Sequence, residues 1–197
     1  MLSLPSYVLF NFFIYALINA FTPGPGNLLA LNTVTIYGLK RGKPLYLGIF
    51  TGYFAVQIIC AIFVYGVSSL LPSILDIMKY IGASYILWLA IHMAFCKVST
   101  ESTKESASFL KGFILQFVNV KIYMFGITAL TGYIIEYNTS FIVLLGFEII
   151  IATIGTMATI TWIGMGMIIQ KIYLRHYRII NIVLSIALLE CAYSMIK

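Results

Sequence analysis

The chain has 197 residues, of which 61% are apolar and 9% charged, and its mean hydropathy is +1.01. A soluble domain carries about a quarter charged residues, so the composition excludes a water-soluble globule and makes the lipid bilayer the solvent. The net charge of +6 lies in clusters between apolar runs (Lys40, Arg41 and Lys43; Lys97, Lys104 and Lys111; Lys171, Arg175 and Arg178) and forms no continuous basic face, which argues against nucleic acid as a partner.

In chain order, the first apolar run is Leu4 to Phe21. No basic residue precedes Lys40, so the charged region of a cleavable signal is missing and the run is expected to stay as an inserted helix. Apolar character resumes from Leu28 to Tyr37, beyond Thr22-Pro23-Gly24-Pro25-Gly26-Asn27. Prolines and glycines packed this closely predict a broken helix, with a second half-helix starting near Pro25. Further spans are expected at Leu45–Leu71, Ile77–Phe95, Phe109–Tyr133, Phe141–Ile169 and Ile179–Ile196. Residues 97–108 are the one polar linker.

These elements describe an all-α polytopic membrane protein, a single transmembrane domain over residues 1–197 with about six transmembrane helices. A five-span arrangement with one re-entrant segment stays open. The linker separates halves 1–96 and 109–197 of three spans each, which would be inverted in the membrane as in many secondary transporters. The three basic clusters fall on alternate connections, so the positive-inside bias places both termini outside the cytoplasm.

Lys121 lies near the middle of the expected fourth span, where a cation costs roughly 2.5–3.5 kcal/mol to insert. Such a residue marks a pathway, or else is locked into a buried ion pair or carbonyl cluster. Gln116 and Asn119 are close in sequence, but on a regular helix Asn119 and Lys121 face different ways. Either amide could bind a ligand or simply bond between helices. At Pro25 the N–H groups of a new helix would point into the protein, with a dipole suited to a carboxylate and Asn27 as an added donor; a plain kink is the alternative.

Glu148 in the fifth span is placed to pair with Lys121 or to carry a proton. Glu190 is near enough to the chain end to reach the interface. His92 and His176 lack metal-ligand partners at helical spacing, and Cys60, Cys96 and Cys191 match no zinc or thioredoxin pattern. No metal, cofactor or catalytic residue is therefore expected. An intramembrane enzyme would need a nucleophile with its base, paired carboxylates or metal ligands, and none is evident; a passive channel or assembly subunit is the other competing class.

Three runs carry a resemblance to a known family. They are Ala20-Phe21-Thr22-Pro23-Gly24-Pro25-Gly26-Asn27-Leu28-Leu29-Ala30-Leu31 with the Gly38-Leu39-Lys40-Arg41-Gly42 loop and Gly48; Gly82-Ala83-Ser84-Tyr85-Ile86-Leu87-Trp88-Leu89-Ala90; and Gly112-Phe113-Ile114-Leu115-Gln116-Phe117-Val118-Asn119-Val120-Lys121. Over nearly the whole chain the sequence resembles the LysE/RhtB family of amino-acid exporters. The Asn119-Val120-Lys121 run, where most members have Asn-Pro-Lys, is similar to the branch exporting cysteine and O-acetylserine, as are Ile154-Gly155-Thr156 and Asn181-Ile182-Val183-Leu184. One departure is Gly26, where many members carry a first of two asparagines.

The resemblance implies a multi-pass protein of the bacterial inner (cell) membrane that exports small amino acids, cysteine, O-acetylserine or related neutral ones, driven by the proton gradient. Its expected partners are the amino acid, protons and the bilayer, and a homo-oligomer is compatible with it. The expected substrate site is Thr22, Pro23, Gly24, Pro25, Gly26, Asn27, Gln116, Asn119 and Lys121, with Lys121 and Glu148 as the groups to couple protons.

Overall fold

A chain crossing a bilayer must satisfy its backbone within itself, and helices do so. The computed structural model describes residues 4–66, 80, 84, 87, 88, 90, 91, 94, 95 and 107–196, and no strand occurs among them. The protein is an all-α polytopic membrane protein. The expected third span Ile77–Phe95, apart from those scattered helical positions, and the linker up to residue 106 lie outside the described residues.

Helix α1 (Ser6–Phe21) stops two residues before Pro23. Helix α2 (Pro25–Gly66) opens on Pro25, whose missing N–H is no loss in a first turn. The break therefore falls where the prolines and glycines predict it. The second helix is two sections joined at Gly38, whose φ of 74° and ψ of 171° suit a residue without Cβ. This corrects the expected loop Gly38–Gly42, which shrinks to that one residue. Lys40, Arg41 and Lys43 then sit exposed on the next helical turns, and the span expected from Leu45 starts several residues earlier.

Helix α3 (Phe109–Val118) and helix α4 (Val120–Ala129), continued by a π-helical turn at Leu130–Ile134, corrects a second expectation. The fourth span is not one helix from Phe109 to Tyr133: it bends by 56° at Asn119. Asn119 adopts φ −87° and ψ 89°, away from the helical region. Asparagine is a weak helix former that is favoured at helix ends, although the Asn119 side chain makes no capping bond here. Helix α5 (Phe141–Ile196) joins the fifth and sixth expected spans across His176, where the backbone leaves helical geometry. Pro25–Gly66 and Phe141–Ile168 are each long and apolar enough to cross a bilayer, and the bent pair reaches that length and apolarity only when its two helices are taken together.

In lipid, helices gain little from hiding apolar surface against each other, so close backbone contact through small residues becomes the main attraction. Gly48 and Gly52, four apart on α2, face α3. A Cβ at Gly52 would stand 2.8 Å from Gln116 Cγ and 2.9 Å from the Phe113 carbonyl, and one at Gly48 would land on the Phe109 carbonyl. Gly112 returns the contact by lying against the Leu45 carbonyl. On its other side α2 packs against α5, joined by an apolar cluster of Phe12, Val56, Leu144 and Ile151. The Phe12 and Phe147 rings meet edge to face at 5.0 Å. Outward positions such as Phe10, Ile142 and Ile168 are exposed apolar side chains, as a lipid-facing surface requires.

Gly52→Leu is expected to lower stability by about 1–3 kcal/mol or more, because the neighbouring backbone cannot yield. Gly146→Ala, where an added Cβ meets nothing within 4 Å, should leave it unchanged. Thermal unfolding of both variants in detergent checks the contrast.

Candidate functional site

The last four carbonyls of a helix have no partner in that helix, and inside a bilayer water does not supply one. At the end of α1, side chains do. Asn27 Nδ2 donates to the carbonyls of Ala20 at 3.0 Å and Thr22 at 3.4 Å. Trp162 Nε1 donates to Phe21 at 3.3 Å. Lys121 Nζ donates to Thr22 at 3.0 Å and Pro23 at 3.3 Å. Asn27 is itself fixed by α5, since Thr159 Oγ1 donates to its Oδ1 at 2.8 Å.

Lys121 reaches this position because of the bend at Asn119. Gly24 leaves the room it needs: a Cβ there would stand 3.1 Å from Nζ and 3.2 Å from Cδ. The two breaks therefore face each other, one from each half of the chain. Between them lies a pocket that is partly open to solvent.

One wall of the pocket donates. It holds the Lys121 ammonium and the start of α2 at Gly24, Gly26 and Asn27, where first-turn N–H groups lack partners within the helix. The other wall accepts. Gln116 and Asn119 line the pocket, and the side-chain oxygens Gln116 Oε1 and Asn119 Oδ1 are buried with no hydrogen-bond partner among the described residues. Gln116 also fills the space over Gly26, its Nε2 lying 3.3 Å from where a Cβ would be. An amide from the second half thus occupies the place that a first asparagine would take.

Of the residues expected from sequence, Gly24, Gly26, Asn27, Gln116, Asn119 and Lys121 line the pocket. Thr22 and Pro23 give it their carbonyls through Lys121, and Pro25 is buried at the start of α2 without lining it. Glu148 is fully buried on α5 outside the lining, and its oxygens make no hydrogen bond to Lys121. The side chain of Glu190 lies outside the described residues. Sequence reasoning missed the polar lining residues Asn19, Tyr53 and Thr159 and the apolar Ile122 and Phe125. Gly155, quoted only for resemblance, lines it too, with the Tyr53 ring packed against its bare backbone.

Residues 17–196 match the family described as LysE type translocator. The chain is 36% identical over 183 residues to the cysteine/O-acetylserine efflux protein of Salmonella choleraesuis (strain SC-B67). It is 34% identical over 187 residues to the cysteine/O-acetylserine efflux protein of Escherichia coli (strain K12). In both cases the match covers 92% of this chain and 93% of the relative. No solved structure matches the chain.

Asn27→Ala and Thr159→Val should be coupled, their combined effect falling short of the sum of the two. The expected coupling is about 0.6–1.7 kcal/mol, the range of interhelical hydrogen bonds in a membrane protein. A double-mutant cycle on unfolding in detergent measures it, and additive effects would mean that the bond contributes nothing.

Proposed function

The chain belongs to the LysE translocator family and is a membrane transporter rather than an enzyme, and from that premise we propose that it exports small zwitterionic amino acids in exchange for protons. The proposed cargo is cysteine, O-acetylserine or a close neutral relative, as the names of the curated relatives suggest. The proposed place is the inner membrane of a bacterium. The observation that carries the reading is the pocket's division into a donating and an accepting wall.

A zwitterion presents the complementary pair of charges. Its carboxylate accepts from Lys121 Nζ and from the N–H groups at the start of α2, where the helix dipole favours an anion. Its ammonium donates to Gln116 Oε1 and Asn119 Oδ1. The incoming carboxylate competes with the Thr22 and Pro23 carbonyls for the lysine, and charge-assisted bonds are roughly twice as strong as neutral ones. Substrate binding thereby loosens the clamp between the halves. Rocking of one inverted half against the other about this site gives alternating access, with an inward proton flux through Lys121 or Glu148 driving the cargo outward.

In proteoliposomes, a pH gradient is expected to drive movement of labelled cysteine or O-acetylserine, and Lys121→Met to cut it more than about tenfold, or about 1.4 kcal/mol. Wild-type rates in the mutant at equal protein level would remove Lys121 from the site. Transport that ignores a collapsed gradient would reduce the protein to a passive channel.

A further inference from the structure

One residue beyond the pocket-lining Phe125, Gly126 on α4 leaves a niche for two polar side chains from other helices. A Cβ at Gly126 would stand 2.9 Å from each carboxyl oxygen of Glu148 and closer still to Oε1 of Gln57. Both side chains are sealed from solvent, Gln57 on α2 at 1% exposure and Glu148 on α5 at 0%. Gln57 turns its donor Nε2 to the Ile122 carbonyl at 3.4 Å, which leaves Oε1 at the niche. The three oxygens meeting there have no hydrogen-bond partner among the described residues.

Three acceptors and no donor make an incomplete cluster, and an ionised carboxylate left alone in a bilayer interior is costly. One hydrogen completes it, because a protonated carboxyl is both donor and acceptor. We propose that this niche is the proton-binding site of the transporter, with Glu148 carrying the proton and donating it to Gln57 Oε1. The proposal deepens the proton-exchange reading above and separates the proton's site from the amino-acid pocket. On uptake a water-borne proton forms the O–H bond of the carboxyl; on release that bond breaks, the proton returns to water and the carboxylate keeps the charge. A hard divalent metal ion would want about six oxygens or more, whereas a proton needs only this pair.

The titratable groups facing Glu148 are Tyr15 from α1 and Tyr53 and Cys60 from α2; α4 presents the bare backbone of Gly126. Tyr15 donates to the Phe125 carbonyl at 3.4 Å, and Cys60 turns its thiol to the Tyr123 carbonyl at 4.0 Å. Tyr53 lines the pocket as well as facing Glu148. It is the wall shared by the two sites, so movement of the tyrosine with substrate is the route by which cargo and proton sense each other. Gln57 is a positioning residue here, acting through the carboxyl.

Infrared difference spectra of the purified full-length protein across a pH titration test the site directly. A protonated-carboxyl C=O band should titrate in the wild type, vanish in Glu148→Gln and shift in Gln57→Leu. In proteoliposomes, Glu148→Gln should lower gradient-driven uptake roughly tenfold more than it lowers counterflow exchange, a coupling loss of typical allosteric size. Gly126→Ala, which forces the pair apart, should show the same split without altering either partner. Gradient-driven transport intact in Glu148→Gln, a wild-type spectrum with no band that this variant lacks, or a requirement for sodium would each overturn the Glu148 site. Wild-type transport indifferent to the gradient would overturn coupled export itself.

Discussion

Helix α1 stops at the proline–glycine break, and its terminal carbonyls, which have no partner within the helix, are bonded there by side chains from the rest of the chain. That requirement organises the structure. Lys121, Trp162 and, through Asn27, Thr159 are all drawn to the same few carbonyls. A lysine that is expensive in lipid becomes affordable because it completes a helix end. The purely structural role open to such a residue, a lock in a carbonyl cluster, and the functional role are therefore one arrangement, since the atom that closes the break also lines the pocket.

The second constraint is closeness. Glycines at 48, 52 and 112 bring α2 and α3 into backbone contact, which sets Gln116 directly over the start of α2. Without that approach the accepting wall would sit too far from the donating one to hold a single small molecule. The same logic recurs at Gly126, where the absent side chain admits Gln57 and Glu148 together, and at Gly155, where it seats Tyr53. Missing Cβ atoms place the polar groups at each point.

Much of this was legible in the chain. Hydropathy placed the apolar helices among the described residues, and the prolines and glycines after Thr22 located the first break, because both signals are local. The second break was not legible. Val118-Asn119-Val120 sits in an unbroken apolar run with no proline, and hydropathy is blind to a bend made by one asparagine. Reading that span as regular put Asn119 and Lys121 on different faces, whereas the bend turns them into one pocket. Tyr53 and Thr159 escaped for another reason: each is an ordinary polar residue on its own helix, and only the packing of α2 and α5 brings it to the site. The two breaks, at residues 22–24 and at Asn119, fall one on each side of the polar linker.

The partners of the first break also carry an order in time. As the chain leaves the ribosome, Asn27 follows α1 almost at once, but Lys121, Thr159 and Trp162 emerge only after another hundred residues or so, at about 5–20 residues per second. Throughout that interval the newly inserted first half holds helix-end carbonyls that its own residues only partly satisfy. The cavity thus waits on residues from the second half of the chain, and a chain stalled before residue 121 would sit in the bilayer with its most polar wound still open.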